Sequence, residues 1–341
     1  MRAAVYLEKN KPLEVQTIAD PTPALGQVVL AIKGAGICGS DLHMVQYGFA
    51  APGQVLGHEY AGEIVALGAD APKTLKVGDR VTALPVFPCH KCEACDAGLV
   101  GLCPGSKIVG TTLMTQGAYA EFTAVNSRYV QKLPDGVSFA EGAMVEPLAV
   151  GRHTVSLGEI KKGESVLILG GGPIGAAAAI FARQAGAKHV VVSEPMELRR
   201  NRVRELGATA TIDPKIQNVA EAFTAIADHR PQVIYECVGA PGLFAQAIDL
   251  AGTRARVIVA GVLFEEERFS ALPALAKELT IRYAQMYTER DFEAVIDNIA
   301  RGEINVKPMH TETVSLSQLP AAFEGLRSAP QQCKVILDPA L

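Results

Sequence analysis

The chain lacks an excess of basic charge: its 341 residues carry a net charge of −4, and Lys and Arg are dispersed apart from short runs such as Arg199-Arg200. That composition leaves no electrostatic footprint for a nucleic acid. Long apolar runs are missing too. The most apolar stretch, VLILGGGPIGAAAAIFA, is broken by glycines and a proline, so no membrane-spanning helix is expected. The opening residues, MRAAVYLEKNKPLEV, carry charges where a secretory leader needs its apolar core. Cysteine is sparse outside one place: of seven, four cluster in one segment, while Cys38, Cys237 and Cys333 lie far apart. The odd, clustered count argues against a disulfide framework and for a reducing compartment. These absences predict a cytoplasmic protein with neither membrane nor nucleic-acid partners. At 49% hydrophobic content, the chain is long enough for two domains with substantial cores.

What is present starts with those four cysteines. VFPCHKCEACDAGLVGLCPG spaces them as Cys89-x2-Cys92-x2-Cys95-x7-Cys103, and back-to-back Cys-x2-Cys hooks present paired thiolates to one tetrahedral zinc ion. Four thiolates close such a site, so the lobe, residues 88–104, is expected to be a structural staple without chemistry of its own. His90 sits among them but is not needed as a ligand.

Two textures divide the chain. To about residue 150, short alternating strands (AAVYL, QVVLAIKGAG, EYAGEIVALG, DRVTAL, AYAEFTAV) are separated by turn residues. After Glu146-Pro147 the pattern turns helical, then strands alternate with helices (SVLILG, IGAAAAIFARQAGA, HVVVSE, MELRRNRVRELG) as βαβ units require. QVIYECVG, ARVIVAGV and LTIRYAQMY continue that sheet. DFEAVIDNIARG reads as an amphipathic helix and QQCKVILDP as a last strand, returning to the first domain. The expected boundaries are 1–149 with 286–341, and 150–285.

Gly170-Gly171-Gly172-Pro173-Ile174-Gly175 follows a buried strand and opens a helix, the context of a dinucleotide fingerprint. Gly170 makes the tight turn, Gly172 lets the backbone approach a pyrophosphate, Gly175 allows close helix packing, and the helix N-terminus faces the phosphates. Glu194 ends the next strand, where a carboxylate accepts from the adenosine ribose hydroxyls. It repels a 2′-phosphate, favouring NAD over NADP, with Arg199 and Arg200 softening the preference.

Three further groups have metal-ligand chemistry: Cys38 in GICGSDLH, His58-Glu59 in VLGHEYAG and Glu146 in VEPLAV. Together with VGDRV, the four-cysteine lobe, GAYAEF, GGGPIG and NVKPM in their order, they make the chain resemble the zinc-dependent medium-chain alcohol dehydrogenases, and among them the sorbitol and related polyol dehydrogenases. The resemblance runs nearly end to end. It implies an α/β architecture: a GroES-like β-rich catalytic domain and a Rossmann doubly wound parallel-sheet domain. It also implies a catalytic zinc on Cys38 and His58, with Glu59 and Glu146 as acidic partners, either of which binds directly. His58 and Glu59 can both ligate only if the GHE segment is turned, because neighbours in a strand face opposite ways. Ser40 and His43 match the family's proton relay, and two zincs per chain and NAD(H) follow.

Where relatives that oxidise polyols present an Arg-Tyr pair, this chain has Met286 and Tyr287. A thioether gives a polyhydroxylated substrate no donors, and Tyr47 and Phe49 add apolar walls. The expected reaction is therefore interconversion of a less polar secondary alcohol or vicinal diol with its ketone. The alternatives are a polyol dehydrogenase or a non-catalytic nucleotide-binding protein. Val262 and Gln285 are expected on the nicotinamide side. LTIRYAQMY, last in its sheet, is expected to extend across a homodimer or homotetramer, as in relatives.

Overall fold

The structure, a computed structural model, describes residues 1–328 and 331–341. The chain forms two compact units, residues 1–146 with 288–341, and residues 147–287.

The first unit is built on a seven-stranded sheet. Its main path runs Val130–Lys132, Arg80–Ala83, Glu59–Leu67, Gln27–Gly36, Lys334–Leu337, His310–Val314, and Phe122–Asn126 pairs with Gln27–Gly36. Three of these strands build the site. Gln27–Gly36 runs antiparallel to Glu59–Leu67 with Gly36 opposite Glu59, and Lys334–Leu337 flanks its other side with Ile336 opposite Gly36. The ends of three strands thus meet at one corner. A smaller sheet joins Glu14–Thr17, Arg2–Tyr6 and Gln54–Val55, and its apolar residues share one core with the larger sheet. AYAEFTAV becomes strand only from Phe122, in Phe122–Asn126, and Tyr119 ahead of it is completely buried.

The helix expected after Pro147 begins earlier. It spans Phe139–Leu157 with Pro147 inside it. Its start is set by a capping box: the Glu141 carboxylate accepts from the Ser138 backbone N–H at 2.8 Å, and the Ser138 hydroxyl accepts from the Glu141 N–H at 3.2 Å. SFAE carries that signal in the sequence, and it outweighs the preference of proline for a first turn.

The second unit holds a six-stranded parallel sheet. Its spatial order is Ala210–Ile212, His189–Ser193, Ser165–Leu169, Val233–Glu236, Arg256–Val259, Thr280–Tyr283, that is, third, second, first, fourth, fifth and sixth in the chain. This is the doubly wound Rossmann order, whose ligand site lies at the carboxyl ends of the first and fourth strands. Ser165–Leu169 is buried at every residue, as a central parallel strand covered on both faces must be. LTIRYAQMY is a strand only over Thr280–Tyr283, an edge of this sheet. Beyond it Met286 adopts a left-handed φ of 55°.

Candidate functional site

In the first unit, the helix Gly39–Tyr47 starts directly after Cys38 and ends at Gly48, which takes the left-handed conformation usual for a helix stop. Ser40, His43 and Tyr47 fall three and four residues apart and share one face, while Asp41 and Val45 are buried on another. Gly57, at φ 98°, turns the chain just before His58, which precedes the strand Glu59–Leu67. With that turn, one ligand atom each from Cys38, His58 and Glu59 lies within 4.8 Å of the others. A thiolate, an imidazole and a carboxylate at that spacing fit a zinc ion with a position left open. Glu146 is buried but lies outside this trio, and its carboxylate acts on Tyr60, whose phenol is pushed up by burial first and Glu146 second.

The trio has close company. The Ser40 hydroxyl donates to the Cys38 thiol at 3.2 Å and is 3.4 Å from His58 Nε2. On the far side of the ring, His58 Nδ1 lies 3.3 Å from Asp41 Oδ1. With the Asp41 carboxylate on the Nδ1 side, a proton on Nδ1 leaves the Nε2 lone pair facing Cys38 and Ser40, the tautomer a metal ligand needs. Burial by itself would lower the His58 pKa; Asp41 and Cys38 outweigh it and hold the imidazole well above its usual value.

Glu59 is fully buried, and Lys334 meets it with the same ammonium 2.7 Å from each carboxylate oxygen and 3.0 Å from the Ile37 carbonyl. Burial tends to lower the Lys334 pKa, but the Glu59 charge and then Cys38 keep it above the usual lysine value. The local pattern of the sequence places Lys334 only in a strand. Its signal was a lone cation in KVIL, an otherwise apolar run, since buried lysines are almost always paired. Gly36 and Asp41 carry no comparable local signal. A Cβ on Gly36 would sit 2.0 Å from Glu59 Oε2, so only glycine leaves room for the carboxylate.

The lobe cysteines also converge: one ligand atom from each of Cys89, Cys92, Cys95 and Cys103 lies within 4.8 Å of the rest. The Cys89 backbone N–H donates to Cys103 Sγ at 3.3 Å, and this bond is the main reason the Cys103 thiol drops to about 6. His90 turns its ring onto Tyr129, with centroids 6.2 Å apart.

In the second unit the glycine fingerprint takes the predicted form. Gly170 has φ 95°, and a Cβ on Gly175 would sit 2.0 Å from the Gly170 carbonyl oxygen, so the helix packs directly on the turn. Pro173 and Ile174 open the helix Pro173–Gln184 behind Gly172. Gly172 faces open space, with Arg199 Nη1 nearest at 3.8 Å from its would-be Cβ. That is room for a pyrophosphate. Glu194 accepts from the Gly171 and Met196 backbone N–H groups, both at 2.8 Å. Arg200 is taken up by Asp213 at 3.0 Å and the Glu194 carbonyl at 2.8 Å, and Arg199 lies beside the loop. Val262 and Gln285 line one cavity of about 340 Å³ that also includes Glu236, Phe244 and Tyr283. Tyr287 is buried. Tyr47 stacks on Phe49 with centroids 5.7 Å apart, and Phe49 is exposed.

Residues 24–135 match the alcohol dehydrogenase GroES-like domain and residues 173–301 the zinc-binding dehydrogenase family. The chain is 32% identical over 99% of its length to the 2-dehydro-3-deoxy-L-galactonate 5-dehydrogenase of Pseudoalteromonas atlantica, covering 98% of that protein. It belongs to the zinc-dependent medium-chain alcohol dehydrogenase family. Within this family it is 30% identical over 99% of its length to the sorbitol dehydrogenase of Bacillus subtilis, covering 97% of it. The 2R,3R-butanediol dehydrogenase of Bacillus subtilis has the same fold at a TM-score of 0.89 and 27% identity, each chain 99% covered. As a medium-chain dehydrogenase the protein is a zinc-dependent oxidoreductase on CH–OH donors that uses a nicotinamide dinucleotide. Among the described residues, no helix is long and apolar enough to cross a membrane.

Proposed function

We propose that the protein interconverts a secondary alcohol and its ketone with NAD(H), using one zinc on Cys38, His58 and Glu59 and a second on the four lobe cysteines. The observation that carries this reading is the trio of ligand atoms within 4.8 Å, with the Ser40 hydroxyl beside it. When bound there, zinc supplies Lewis-acid polarisation of the alcohol oxygen. Ser40 accepts the substrate hydroxyl proton, and His43, one turn along the same helix face, passes it towards solvent. Asp41 holds the His58 tautomer. Glu146 is the competing third ligand, and zinc content of Glu59→Gln and Glu146→Gln decides between them: the true ligand loses one equivalent.

For the cofactor, the Glu194 carboxylate favours the unphosphorylated ribose, with Arg199 beside the glycine loop as a cation that tolerates a 2′-phosphate. The substrate is proposed to be a less polar secondary alcohol or vicinal diol. Met286 in place of a guanidinium and the Tyr47–Phe49 stack support this. The names of the relatives favour a second reading, oxidation of a polyol. Dinucleotide reduction measured across simple secondary alcohols, vicinal diols, sorbitol and xylitol separates the two, since turnover on sorbitol would overturn the apolar reading. Self-association through the Thr280–Tyr283 edge is supported by Tyr283, Leu272 and Leu275, all exposed. Light scattering gives the oligomer.

A further inference from the structure

We propose that Tyr119 is a positioning residue for the His58 ligand, acting through Asp41. The inference rests on the reading that His58 holds zinc.

Tyr119 does two things at once. Its hydroxyl donates to Asp41 Oδ2 at 2.6 Å, while the other oxygen of that carboxylate faces His58 Nδ1 at 3.3 Å. Its ring fills the space beside Gly57: a Cβ there would sit 2.6 Å from Tyr119 Cδ1. One side chain therefore braces the turn that carries the ligand and also the carboxylate behind the ligand ring. The Gly36 carbonyl lies 3.3 Å from the same hydroxyl. A phenol has one proton, and the shorter, charge-assisted bond to Asp41 takes it.

Asp41 is fully buried, and a buried carboxylate needs donors on its oxygens. With Tyr119 on one oxygen, the other is held towards the imidazole, which fixes the ring and its tautomer. Without the phenol O–H, Asp41 loses its short donor and is free to turn. His58 Nδ1 then loses a fixed acceptor, and the metal loses a well-oriented ligand. Partners of this kind change metal affinity by about 10- to 100-fold.

The test is Tyr119→Phe in the full zinc-loaded chain, since phenylalanine keeps the ring that packs on Gly57. Zinc release to a chromogenic chelator is followed in wild type, Y119F and H58A, the last assigning the phase that belongs to the catalytic site. The expected result is that this phase quickens by about tenfold or more in Y119F, the lobe phase is unchanged, and the visible bands of the cobalt-substituted protein shift. Tyr235→Phe, which deletes another buried phenol bond, 3.0 Å to the Val155 carbonyl in the second unit, leaves both phases unchanged. The assignment is overturned if Y119F releases zinc at the wild-type rate with an unshifted cobalt spectrum, or if both phases quicken alike, which is general loosening. A wild-type chain holding a single zinc overturns the metal reading itself, and this assignment with it.

Discussion

The two cysteine-bearing clusters of the first unit both gather their ligand atoms within 4.8 Å and are differently built. The lobe draws all its donors from one short segment, flanked by the paired strands Val86–Phe87 and Lys107–Ile108. The other cluster takes Cys38 from a helix start, His58 from a turn and Glu59 from a strand end, and leans on Gly36, Asp41, Tyr119 and Lys334. Four thiolates from a local hook need nothing else to define them and leave no place for a substrate. Three unlike donors gathered over long sequence separations need a surrounding network, and that network is where reactivity can be adjusted. A staple is local; a reaction centre is assembled.

The largest effect expected from breaking this contrast is on turnover. His58→Ala should lower kcat/KM by about 10³-fold or more, several kcal/mol of lost polarisation, while the melting temperature changes little. Cys95→Ser should do the reverse in kind, releasing the lobe zinc and lowering the melting temperature by on the order of 10 °C. Steady-state kinetics and thermal melts on both variants decide it, and a C95S protein that melts like wild type removes the staple. Next is Lys334→Met, which leaves Glu59 buried without its cation and should cost about 3–5 kcal/mol in denaturant unfolding; adding Glu59→Gln should recover most of the loss.

His43→Ala is expected to lower kcat by about 10²-fold and to shift the pH–rate profile; an unchanged profile removes His43 from the relay. The smallest effect concerns a buried acid that, among the described residues, is held by backbone N–H groups and not by a lysine. Glu236 accepts from the Val238 and Gly239 N–H groups, yet burial, its main influence, raises its pKa above 4.5. A raised carboxyl binds more protons folded than unfolded, so its contribution to stability falls as pH rises from 4.5 to the folded value and is level above that. Glu236→Gln should therefore gain on wild type across that window. Parallel urea titrations at several pH values check this, and a constant difference refutes it.

The legible parts of the sequence were those written in consecutive residues. The Cys-x2-Cys hooks, GGGPIG after a buried strand, and the alternation of strand and helix that yields the Rossmann order all rest on local spacing. What escaped rests on contacts across the chain. Lys334 meets Glu59 from 275 positions away, and Tyr119 meets Asp41 from 78. No periodicity encodes such pairings; only the oddity of a lysine in KVIL hinted at one. The start of the helix Phe139–Leu157 is a local signal with a local competitor, because Pro147 offers a second helix start that masks the SFAE box.

Gly36 decides more than its size suggests. With a hydrogen as its only side chain, it admits the Glu59 carboxylate and so cancels the ammonium of Lys334. Any larger residue there would evict the anion and leave a bare cation beside Cys38 and His58. The corner would then repel a divalent metal instead of attracting it. The sign of the electric field at the proposed zinc site is thus set by a residue that contributes no charge, no donor and no ligand.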